Sequence, residues 1–387
     1  MANYFKPHLG GVENSLHYLS EEYVKFGYNV MIIVSDSDIT KNGRLPLYEK
    51  VNNSIEIYRY KTYFPKIYLD YLLKFPLELL RIKKIVSFLI LNKSIKKIIS
   101  RHWITSLGVI ISGNKVTYVV PGIAINQDLL TGKDIKSKII NLLAIRPQIF
   151  LQKFALKKSK LIVFSKNMKK QILYFLKNKN KSIEIYNPGV AFDKFESKTI
   201  PNLREKYNIP EDSFTFLVVG RLIKDKAIQY AIDALSLLDN KNTFLLIVGD
   251  GPERSFLENL TKQLNINNRV VFTGKIKTHI ENFYFASDCF LMTSVKETFG
   301  QTILEALASG LPVIGWKSGG VISTATSEII KNDINGYLVD FNQNKLITTM
   351  DKISNSSSDE INKFRLKNKE LVMKKYSWNL IASKLIN

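Results

Sequence analysis

The sequence contains 387 residues, of which 45% are hydrophobic and 23% are charged. This composition excludes a fibre or a disordered chain and leaves room for two ordinary domains with full cores. The single cysteine, Cys289, excludes an internal disulfide framework and a cysteine-based metal cluster. No run reaches the roughly 20 apolar residues of a membrane-spanning helix and no signal pattern opens the chain, so we expect a cytoplasmic protein.

The net charge of +22 is concentrated in one half of the chain. Residues 1–190 hold 31 Lys and Arg against 12 Asp and Glu, whereas residues 191–387 hold 25 against 22. A general bias toward lysine explains part of the excess but does not explain this asymmetry. The basic half is therefore predicted to face nucleic acid, anionic lipid or an acidic acceptor.

In chain order, short apolar runs typical of buried strands alternate with helical patterns. Continuous apolar strands separated by helices predict parallel sheets that are covered on both faces. Two such series occur, divided by a stretch with Pro and Gly at 186–195. We therefore predict an α/β fold with an N-terminal domain at 1–187, a C-terminal domain at 188–365 and a helical extension at 366–387. The predicted strands are 28–35, 116–120, 161–165, 214–220, 244–250, 269–274, 288–294 and 311–315.

The first strand is predicted to be short. The chain reaches the Gly10-Gly11 turn and its helix after only about residues 2–5 of strand. A doubly wound sheet normally begins with a complete strand before that turn. We expect Met1 to lie inside the natural reading frame, or the chain to be truncated; in-frame coding sequence upstream would support this, and a native protein of this mass would contradict it.

The stretch FLLIVGDGPER (244–254) resembles a dinucleotide-binding fingerprint. A strand leads into Gly249-Asp250-Gly251, but Arg254 occupies the third glycine position and no acidic ribose partner stands out downstream. We interpret this stretch as a tight turn between a strand and a helix, with an NAD site as the weaker alternative.

A cationic loop follows the strand at 214–220. Ligands bind at the carboxyl ends of strands in α/β sheets, so Gly220, Arg221 and Lys226 are expected beside a ligand. An arginine fork and a lysine point charge suit a diphosphate, whose charge grows as it departs. The alternative for either cation taken alone is an ordinary surface charge on a loop.

Two glutamates flank a predicted helix start. Gly300, Gln301 and Thr302 would open a helix whose first N–H groups can bind a phosphate. Glu305 then lies about one turn inside the helix, where it can accept hydrogen bonds from ribose hydroxyls. Glu297 precedes the helix and can hold hydroxyls of the group beyond the distal phosphate. The alternative is that Glu297 stabilises the helix dipole and Glu305 is a solvated surface residue.

Together these motifs resemble the family 4 glycosyltransferases, which are retaining enzymes of the GT-B fold. The resemblance covers essentially the whole chain, and the order and spacing of its motifs make it specific. It implies two Rossmann-like, doubly wound parallel-sheet domains facing across a cleft, with a nucleotide-sugar donor held mainly by the C-terminal one. The matching motifs are Gly10-Gly11-Val12-Glu13, Pro188-Gly189-Val190 with Phe195, Gly220-Arg221 with Lys226, Val248-Gly249-Asp250-Gly251-Pro252, Thr273-Gly274, Glu297 with Phe299-Gly300 and Glu305, and Gly310-Leu311-Pro312-Val313.

The resemblance also implies a role for each matching residue. The family needs no metal or other cofactor, because cations and a helix dipole neutralise the departing nucleotide, and it uses no protein nucleophile. The implied roles are catalysis and donor diphosphate binding for Arg221 and Lys226, catalysis and sugar binding for Glu297 with Phe299 and Gly300, ribose binding for Glu305, donor phosphate binding for Gln301 and Thr302, contact with the base for the backbone at Ile276, and a phosphate or acceptor side at Gly10, Gly11 and Glu13.

Three positions depart from the family pattern. The stretch at 118–122 lacks the histidine that often touches the donor sugar in relatives, and His102 is the nearby candidate to replace it, although a lone histidine is more often structural. The acid that usually follows the second Gly-Gly turn is displaced to Glu328. Ala227 replaces a common glycine, and we expect this change to be tolerated.

A basic amphipathic surface is predicted in the N-terminal domain. Residues 61–101 hold ten Lys and Arg against two acids, with apolar residues at helical spacing, and 133–181 repeats the pattern. Such a surface can lie on an anionic bilayer, and the alternative is a core-packed helix with a solvated basic face. No nucleic-acid recognition module is evident. We expect a glycan or lipid-linked acceptor and peripheral contact with the cytoplasmic face of the inner membrane.

The leading hypothesis is a metal-independent hexosyltransferase that uses a UDP- or GDP-sugar in surface polysaccharide or lipopolysaccharide biosynthesis. Two alternatives stay open from the sequence. One is a nucleotide-sugar epimerase or phosphorylase of the same fold. The other is a non-catalytic nucleotide-sugar-binding scaffold, which the missing histidine and the short first strand suggest.

Overall fold

The computed structural model describes residues 1–8, 10–38, 43–64, 70–123, 141–195 and 202–387. The chain divides into two compact units. Unit 1 comprises Met1–Asn187 and Trp378–Asn387, and unit 2 comprises Pro188–Ser377. The division between Asn187 and Pro188 falls at the position where the sequence analysis placed it.

Helices and strands alternate through both units. The helices are α1 (Gly11–Lys25), α2 (Tyr71–Asn92), α3 (Trp103–Ile111), α4 (Arg146–Lys158), α5 (Lys166–Leu176), α6 (Leu203–Lys206), α7 (Gln229–Ser236), α8 (Arg254–Gln263), α9 (Glu281–Phe285), α10 (Gln301–Ala308), α11 (Thr326–Ile329), α12 (Gln343–Ser354), α13 (Ser358–Lys375) and α14 (Trp378–Ile386), with a π-helical turn at Asn141–Ile145 and 3-10 turns at Phe192–Phe195 and Lys224–Lys226. The strands are β1 (Val30–Ser35), β2 (Ser37–Asp38), β3 (Gly43–Arg44), β4 (Tyr48–Lys50), β5 (Ile55–Tyr60), β6 (Ile99–Ser100), β7 (Thr117–Val119), β8 (Lys160–Val163), β9 (Ile183–Ile185), β10 (Phe214–Val219), β11 (Thr243–Val248), β12 (Val270–Gly274), β13 (Cys289–Met292), β14 (Val313–Trp316) and β15 (Gly336–Val339).

Unit 1 contains two main sheets. The first has the order β1-β5-β4, with β1 and β5 parallel and β4 antiparallel to β5. The second has the order β6-β7-β8-β9 and is parallel throughout. The helices α2 and α3 pack against each other and bury Phe75, Ile82 and Trp103 in the core of this unit.

The first three residues connect the backbones of these two sheets. They lie between β1 and β6, next to a cavity of about 390 Å³ that is lined by residues of α1, β1 and α2. Whether the first strand is shortened relative to the natural protein stays a prediction. The connecting hydrogen bonds run from Ala2 N to Ile33 O (3.1 Å), from Ser35 N to Asn3 O (2.9 Å), from the Met1 ammonium to Ile99 O (2.8 Å) and from Arg101 N to Met1 O (2.7 Å).

Unit 2 is built on a six-stranded parallel sheet. Its strand order is β12-β11-β10-β13-β14-β15. The chain therefore adds β11 and β12 on one side of β10, and then adds β13, β14 and β15 on the other side. β11 is buried at every position, which explains why it is apolar from Phe244 to Val248. The strand order reverses between β10 and β13, and in open α/β sheets the loops that leave the carboxyl ends at this switch point form the ligand site.

The predicted extension at 366–387 is not a separate element in the structure. Helix α13 runs without a break through 365 and 366 and belongs to unit 2. Helix α14 belongs to unit 1, where Trp378 stacks on Tyr18 of α1 with ring centroids 5.7 Å apart. Helical patterning could not show this, because the packing partner lies at the opposite end of the sequence.

The Gly249-Asp250-Gly251 stretch forms the tight turn that the sequence predicts. A Cβ atom at Gly249 would lie 1.9 Å from Gly220 O, and one at Gly251 would lie 2.3 Å from Leu222 O. The two loops also share a hydrogen bond from Leu222 N to Asp250 O, 2.9 Å long. The glycines therefore allow this turn to press against the cationic loop.

We expect Gly249→Ala to lower the free energy of unfolding of unit 2 by at least about 3 kcal/mol, because the methyl group would overlap backbone and φ is positive. Gly319→Ala is the matched control, since Gly319 has the same φ of +144° but has nothing within 4 Å of an added Cβ. Denaturant unfolding of both full-length variants measures the difference. Equal destabilisation of the two variants would show that backbone conformation, and not the close approach of the loops, is what requires glycine.

Candidate donor-binding site

Two loops meet at the switch point of the unit 2 sheet. The loop after β10 contains Gly220, Arg221 and the 3-10 turn Lys224–Lys226. The loop after β13 leads through Glu297 into α10. Because β10 and β13 are parallel neighbours, both loops leave the same edge of the sheet.

Lys226 and Glu297 form the ion pair that joins these loops. Lys226 Nζ donates to Glu297 Oε2 at 2.6 Å, and both side chains are about one-fifth exposed. A Cβ atom at Gly220 would lie 3.3 Å from Lys226 Cε, so the lysine stem passes close to this glycine. The Thr293 hydroxyl donates to Lys226 O at 2.8 Å and fixes the backbone. The sequence predicted both charges at the site but did not predict that they pair.

The Glu297 backbone is also held in place. Its N–H donates to Ser323 O at 3.0 Å, and Ser323 N donates to Val295 O at 2.8 Å. Glu297 Oε1 accepts from Thr298 N at 3.1 Å. The loop after the Gly319-Gly320 turn therefore braces the glutamate, a contact that sequence reasoning missed because the two segments are separated by β14.

Arg221 stands at the exposed rim of the same loop. Its side chain is exposed, while the neighbouring Leu222 is fully buried and anchors the loop. A guanidinium at this position carries a permanent positive charge with a fork of donors. Arg221 therefore adds a positive charge to the loop that carries Lys226, and its contact with an anion stays a prediction.

Helix α10 begins at the predicted residue. Gly300 is its N-cap with φ +91°, and a Cβ atom there would lie 3.0 Å from Ile303 Cδ1. The preceding Phe299 is buried. In a helix that starts at Gln301, the N–H groups of the first turn have no intrahelical carbonyl to bind. These groups, at Gln301 and Thr302, are the candidate phosphate donors.

The Gln301 side chain has a structural role. Its Nε2 donates to Gly189 O at 2.8 Å. This bond ties the start of α10 to the Pro188-Gly189-Val190 segment. Val190 N in turn donates to Tyr376 O at 3.0 Å, so the helix start is held from two directions within unit 2. The Gln301 side-chain amide therefore positions the helix, while a phosphate contact at its backbone N–H stays a prediction.

Glu305 lies in the second turn of α10, in partly buried surroundings. Its Oε2 accepts a hydrogen bond from the Tyr284 hydroxyl at 2.7 Å. Burial raises the pKa of Glu305, and the Tyr284 hydrogen bond and the Lys194 charge partly offset this. Tyr284 itself is fully buried, and burial together with the carboxylate raises its pKa well above the usual value. This is not the solvated helix residue of the alternative interpretation.

Sequence reasoning did not identify Tyr284 as part of the site. It occurs in the helix α9 sequence ENFYF, where an aromatic residue is expected simply to fill the core. Its ring does pack in the core, against Phe195 and Phe290. No local motif indicates that its hydroxyl reaches a carboxylate on another helix.

Ile276 lies beyond the carboxyl end of β12, at the edge of the unit 2 sheet. Ile276 is partly buried and the preceding Lys275 is exposed. Gly249 N donates to Gly274 O at 3.0 Å, which fixes the end of β12 against the tight turn. The contact of the Ile276 backbone with a base stays a prediction, as do the ligand contacts of the other site residues.

The predicted phosphate-side residues of unit 1 cluster at the start of α1. Gly10 is the N-cap, and a Cβ atom there would lie 2.5 Å from Glu13 Oε2, so the Glu13 side chain folds back over the glycine. An added Cβ at Gly11 would meet nothing within 4 Å. The Gly10-Gly11 backbone is therefore open to close approach at Gly11 and covered by a carboxylate at Gly10.

His102 is the N-cap of α3. Its Nδ1 accepts from Ile104 N at 3.4 Å, and its carbonyl accepts from the Thr105 and Ser106 hydroxyls at 3.0 and 2.9 Å. Burial, assisted by the nearby Lys74 charge, lowers the pKa of His102 to about 4. The imidazole is therefore neutral near pH 7 and has a structural role here. A contact with substrate stays a prediction.

We expect the lowered pKa of the buried His102 imidazole to appear in the pH dependence of stability. The unfolded imidazole takes up a proton below pH 6.5, whereas the folded one resists until about pH 4. The unfolded state thus binds more protons in this window, and the free energy of unfolding falls as the pH falls from 6.5 toward 4. His102→Asn keeps a capping acceptor and should reduce this fall in thermal stability scans. A constant difference between the two proteins at every pH would contradict this assignment.

The described ranges contain no group of three or more His, Cys, Asp or Glu side chains arranged to hold a metal ion. Metal independence stays a prediction, since it depends on the reaction.

Comparison with known proteins agrees with this geometry. Residues 199–370, nearly all of unit 2, match the family glycosyl transferases group 1. This match covers most of unit 2, and at the level of the glycosyl transferases group 1 it confirms the resemblance that the sequence motifs predicted.

Several curated relatives are glycosyltransferases by name. The chain is 31% identical over 236 residues to an uncharacterized glycosyltransferase of Methanocaldococcus jannaschii, which is 58% of each chain. It is 32% identical to the N-acetyl-alpha-D-glucosaminyl L-malate synthase of Bacillus anthracis over 41% of this chain and 40% of that one. It is 36% identical to the lipopolysaccharide core biosynthesis glycosyltransferase LpsD of Rhizobium meliloti over 33% and 36%. The chain thus matches only about a third to three-fifths of the length of these relatives.

Solved structures resemble the whole chain. Sucrose-phosphate synthase from Thermosynechococcus elongatus is 20% identical with a TM-score of 0.76, covering 97% of this chain and 92% of that one. The lipopolysaccharide biosynthesis glycosyltransferase WaaG is 18% identical with a TM-score of 0.72, covering 100% and 98%. Anabaena HepE, solved with UDP and glucose, is 16% identical with a TM-score of 0.73, covering 99% and 97%. At these identities the likeness shows the fold alone, and it confirms the predicted α/β GT-B fold.

Proposed function

We propose that this protein is a retaining glycosyltransferase that moves a sugar from a UDP- or GDP-sugar onto a glycan or lipid-linked acceptor. The observation that carries the proposal is the arrangement at the switch point of unit 2. Two carboxylates, Glu297 and Glu305, flank a helix start in the same loop region as Lys226 and Arg221. Glu297 is paired with a cation, and Glu305 is partly buried and accepts a hydrogen bond from the Tyr284 hydroxyl.

The cations suit a diphosphate leaving group. An ammonium has three donors, so Lys226 can keep its bond to Glu297 while it donates to a phosphate oxygen. Arg221 adds a fork of donors, and the first turn of α10 adds N–H groups and a positive dipole end. Charge that develops on the departing nucleotide would thus meet fixed positive groups. This supports a mechanism in which the protein supplies no nucleophile.

The carboxylates suit the two sugars of a nucleotide-sugar. Glu305 uses one oxygen for Tyr284, and a carboxylate has acceptor sites left for two ribose hydroxyls. Glu297 is held by Lys226 and by its backbone, so it is pre-positioned to accept hydrogen bonds from hydroxyls of the transferred sugar. A hexose is the donor sugar we favour.

The relatives indicate the biological setting. Their printed names include lipopolysaccharide core biosynthesis, O-antigen biosynthesis and alpha-monoglucosyldiacylglycerol synthesis. We therefore assign this protein to bacterial surface polysaccharide or lipopolysaccharide biosynthesis, with its acceptor at the cytoplasmic face of the inner membrane. UDP is the first nucleotide to test, since HepE was solved with UDP and with UDP-glucose.

A thermal-shift series with UDP, GDP, ADP and NAD tests the donor assignment. A nucleotide that binds only the folded state adds about 2.7 kcal/mol of apparent stability at a hundredfold excess over its Kd. We expect UDP or GDP to stabilise the protein and NAD to have no effect. Stabilisation by NAD alone would overturn the proposal in favour of a dinucleotide site at the Gly249 turn.

Metal independence is tested in the same preparation. Release of the nucleoside diphosphate from the donor, with a crude lipid-linked acceptor fraction, is measured with and without EDTA. We expect equal rates. Loss of activity with EDTA and its recovery with Mg²⁺ or Mn²⁺ would contradict the proposed role of Arg221 and Lys226 as the groups that neutralise the leaving group.

A further inference from the structure

We infer that unit 1 binds an anionic lipid bilayer through one exposed face of α2, here called the α2 face. The α2 face consists of Leu73, Leu80, Phe88 and Leu91 together with Lys83 and Lys84. The inference deepens the proposed function by naming the surface that would bring the enzyme to a lipid-linked acceptor. The biological role of the surface rests on the proposed function, whereas membrane binding itself does not.

The apolar side chains of the α2 face are strongly exposed. The exposed fractions are 53% for Leu73, 60% for Leu80, 53% for Phe88 and 84% for Leu91. Their spacing of seven, eight and three residues places them on one side of a helix. Because a helix rises 1.5 Å per residue, the stripe is about 27 Å long. An apolar stripe of this length is unusual for a face that is covered only by water.

The α2 face is not needed for the core. The opposite side of α2 packs into unit 1 through Phe75, Ile82, Val86 and Leu89, each less than one-tenth exposed. The helix is therefore apolar on two opposite sides. Packing in the core of unit 1 explains the buried side but not the exposed one. Burial in unit 1 holds α2 in place and leaves the second apolar side outward.

The charges around the stripe all have one sign. Lys83 and Lys84 are exposed, and Lys74 and Arg81 are partly exposed. The one acid of α2, Glu78, is 4% exposed and accepts a hydrogen bond from Tyr63 N at 3.2 Å. Between Glu78 and Glu184 the described residues include no Asp or Glu. The α2 face therefore presents cations to the solvent and hides its carboxylate.

The neighbouring segment has the same chemistry. The turn Asn141–Ile145 contacts α2 and continues directly into α4. Leu142 is 56% exposed, and Phe150 and Phe154 of α4 are 69% and 40% exposed. α4 carries four Lys and Arg and no acid. The helix that continues from this turn thus combines exposed aromatic rings with positive charge.

An anionic bilayer fits this combination better than other partners. Leucine and phenylalanine insert at the boundary between headgroups and acyl chains, while flanking lysines contact anionic headgroups. Nucleic acid would engage the lysines but would leave the leucine stripe in water. In the part of the chain that the structure describes, no helix is long and apolar enough to cross a membrane. The geometry therefore points to binding along the membrane surface.

Vesicle co-sedimentation of the full-length protein tests the inference. Vesicles of phosphatidylethanolamine with 30 mol% phosphatidylglycerol are compared with pure phosphatidylcholine vesicles. We expect binding to the anionic vesicles at least roughly tenfold tighter, and weaker binding at high salt, since each Lys or Arg near such a surface contributes about a fivefold factor. Equal binding to both vesicles, or no binding to either, would overturn the inference.

Two double variants separate the apolar and cationic parts of the α2 face. We expect Leu80→Glu with Leu91→Glu, and separately Lys83→Glu with Lys84→Glu, each to weaken binding to anionic vesicles at least roughly tenfold. The matched controls lie on α13 in unit 2, where Leu366 is 74% exposed and Met373 is 57% exposed. Leu366→Glu with Met373→Glu, and separately Lys363→Glu with Lys367→Glu, should bind as the wild type does. Equal losses in the control variants would overturn the inference, because net charge and not this face would then set binding.

The two proposals fail in different ways. Vesicle binding is measured without donor or acceptor, and nucleotide stabilisation is measured without lipid. Wild-type thermal stability of the variants shows that they are folded. Vesicle binding without nucleotide binding would contradict the proposed function and leave the α2 face standing. Stoichiometric binding of an RNA oligonucleotide that competes with vesicles and survives Leu80→Glu with Leu91→Glu would instead assign the face to nucleic acid and overturn the inference.

Discussion

Glu297→Gln is expected to lower turnover by roughly a hundred- to a thousandfold while nucleoside diphosphate binding persists. The amide keeps the shape of the side chain but cannot carry the charge that pairs with Lys226 at 2.6 Å. Lys226 is then released from the position that Glu297 enforces, and hydroxyls of the transferred sugar lose a charged acceptor. Steady-state release of the nucleoside diphosphate measures turnover, and the thermal shift with the same nucleotide measures nucleotide binding.

Glu211→Gln is the matched control, because Glu211 is an exposed carboxylate of unit 2 that precedes β10. It should turn over as the wild type does. Unchanged turnover in Glu297→Gln would remove Glu297 from the catalytic machinery. A wild-type protein that binds the nucleotide-sugar but never releases nucleotide with any acceptor fraction would favour the non-catalytic scaffold that the sequence left open.

The central strands of unit 2 could be predicted from sequence because they are buried on both faces, whereas β15, which lies at the edge of the sheet and is partly exposed at two positions, was missed. β10, β11 and β13 are continuous apolar runs, and each was identified within two residues of its observed ends. β5, with the sequence IEIYRY, was missed because charged and apolar residues alternate in it. The two-residue β6 is too short for any periodicity to show. Burial on both faces thus gives a sequence signal that a partly polar or very short strand lacks.

The candidate site was predicted to the level of residue types at strand ends. Parallel strands bring their carboxyl ends together, so Lys226 and Glu297 could be placed at one edge of a sheet from sequence alone. Contacts between distant segments could not be placed. The Tyr284 hydroxyl of α9 donates to Glu305 of α10, and the Ser323 loop holds the Glu297 backbone. Tertiary packing brings these segments together, and no local sequence pattern reports it. The motifs therefore gave the parts of the site, and the fold gave their pairing.

The two carboxylates of the site are stabilised in opposite ways. Glu297 has a direct cationic partner, whereas Glu305 has a neutral hydroxyl at hydrogen-bond distance and a raised pKa caused mainly by burial. Ionisation of Glu305 therefore costs free energy in the folded protein unless a ligand supplies further hydrogen-bond donors to the carboxylate. Two ribose hydroxyls would supply them, which couples the charge state of Glu305 to nucleotide binding.

We therefore expect Glu305→Gln to weaken nucleoside diphosphate binding on the order of a hundredfold, since it replaces hydrogen bonds to a carboxylate with bonds to a neutral amide. Inorganic pyrophosphate is the matched ligand. It has no ribose, so its affinity should be the same in the wild type and the variant. Calorimetric titration with both ligands measures the difference. A variant that loses affinity for pyrophosphate as well would show that Glu305 shapes the phosphate site and does not select the ribose.

The pH dependence gives the second half of this prediction. Because the folded pKa of Glu305 is raised, protonation removes the carboxylate at a higher pH than for an ordinary glutamate, and wild-type nucleotide affinity should fall as the pH falls through that raised value. Between the ordinary and the raised pKa, the folded state holds a proton that the unfolded state has released, so ionising Glu305 lowers the free energy of unfolding as the pH rises. Glu305→Gln should lose both dependences and be no less stable than the wild type near pH 7. Tyr284→Phe should shift the fall in affinity to still higher pH, because it removes the hydrogen bond that favours the carboxylate. A fall at the same pH in Tyr284→Phe and the wild type would assign the titration to another group.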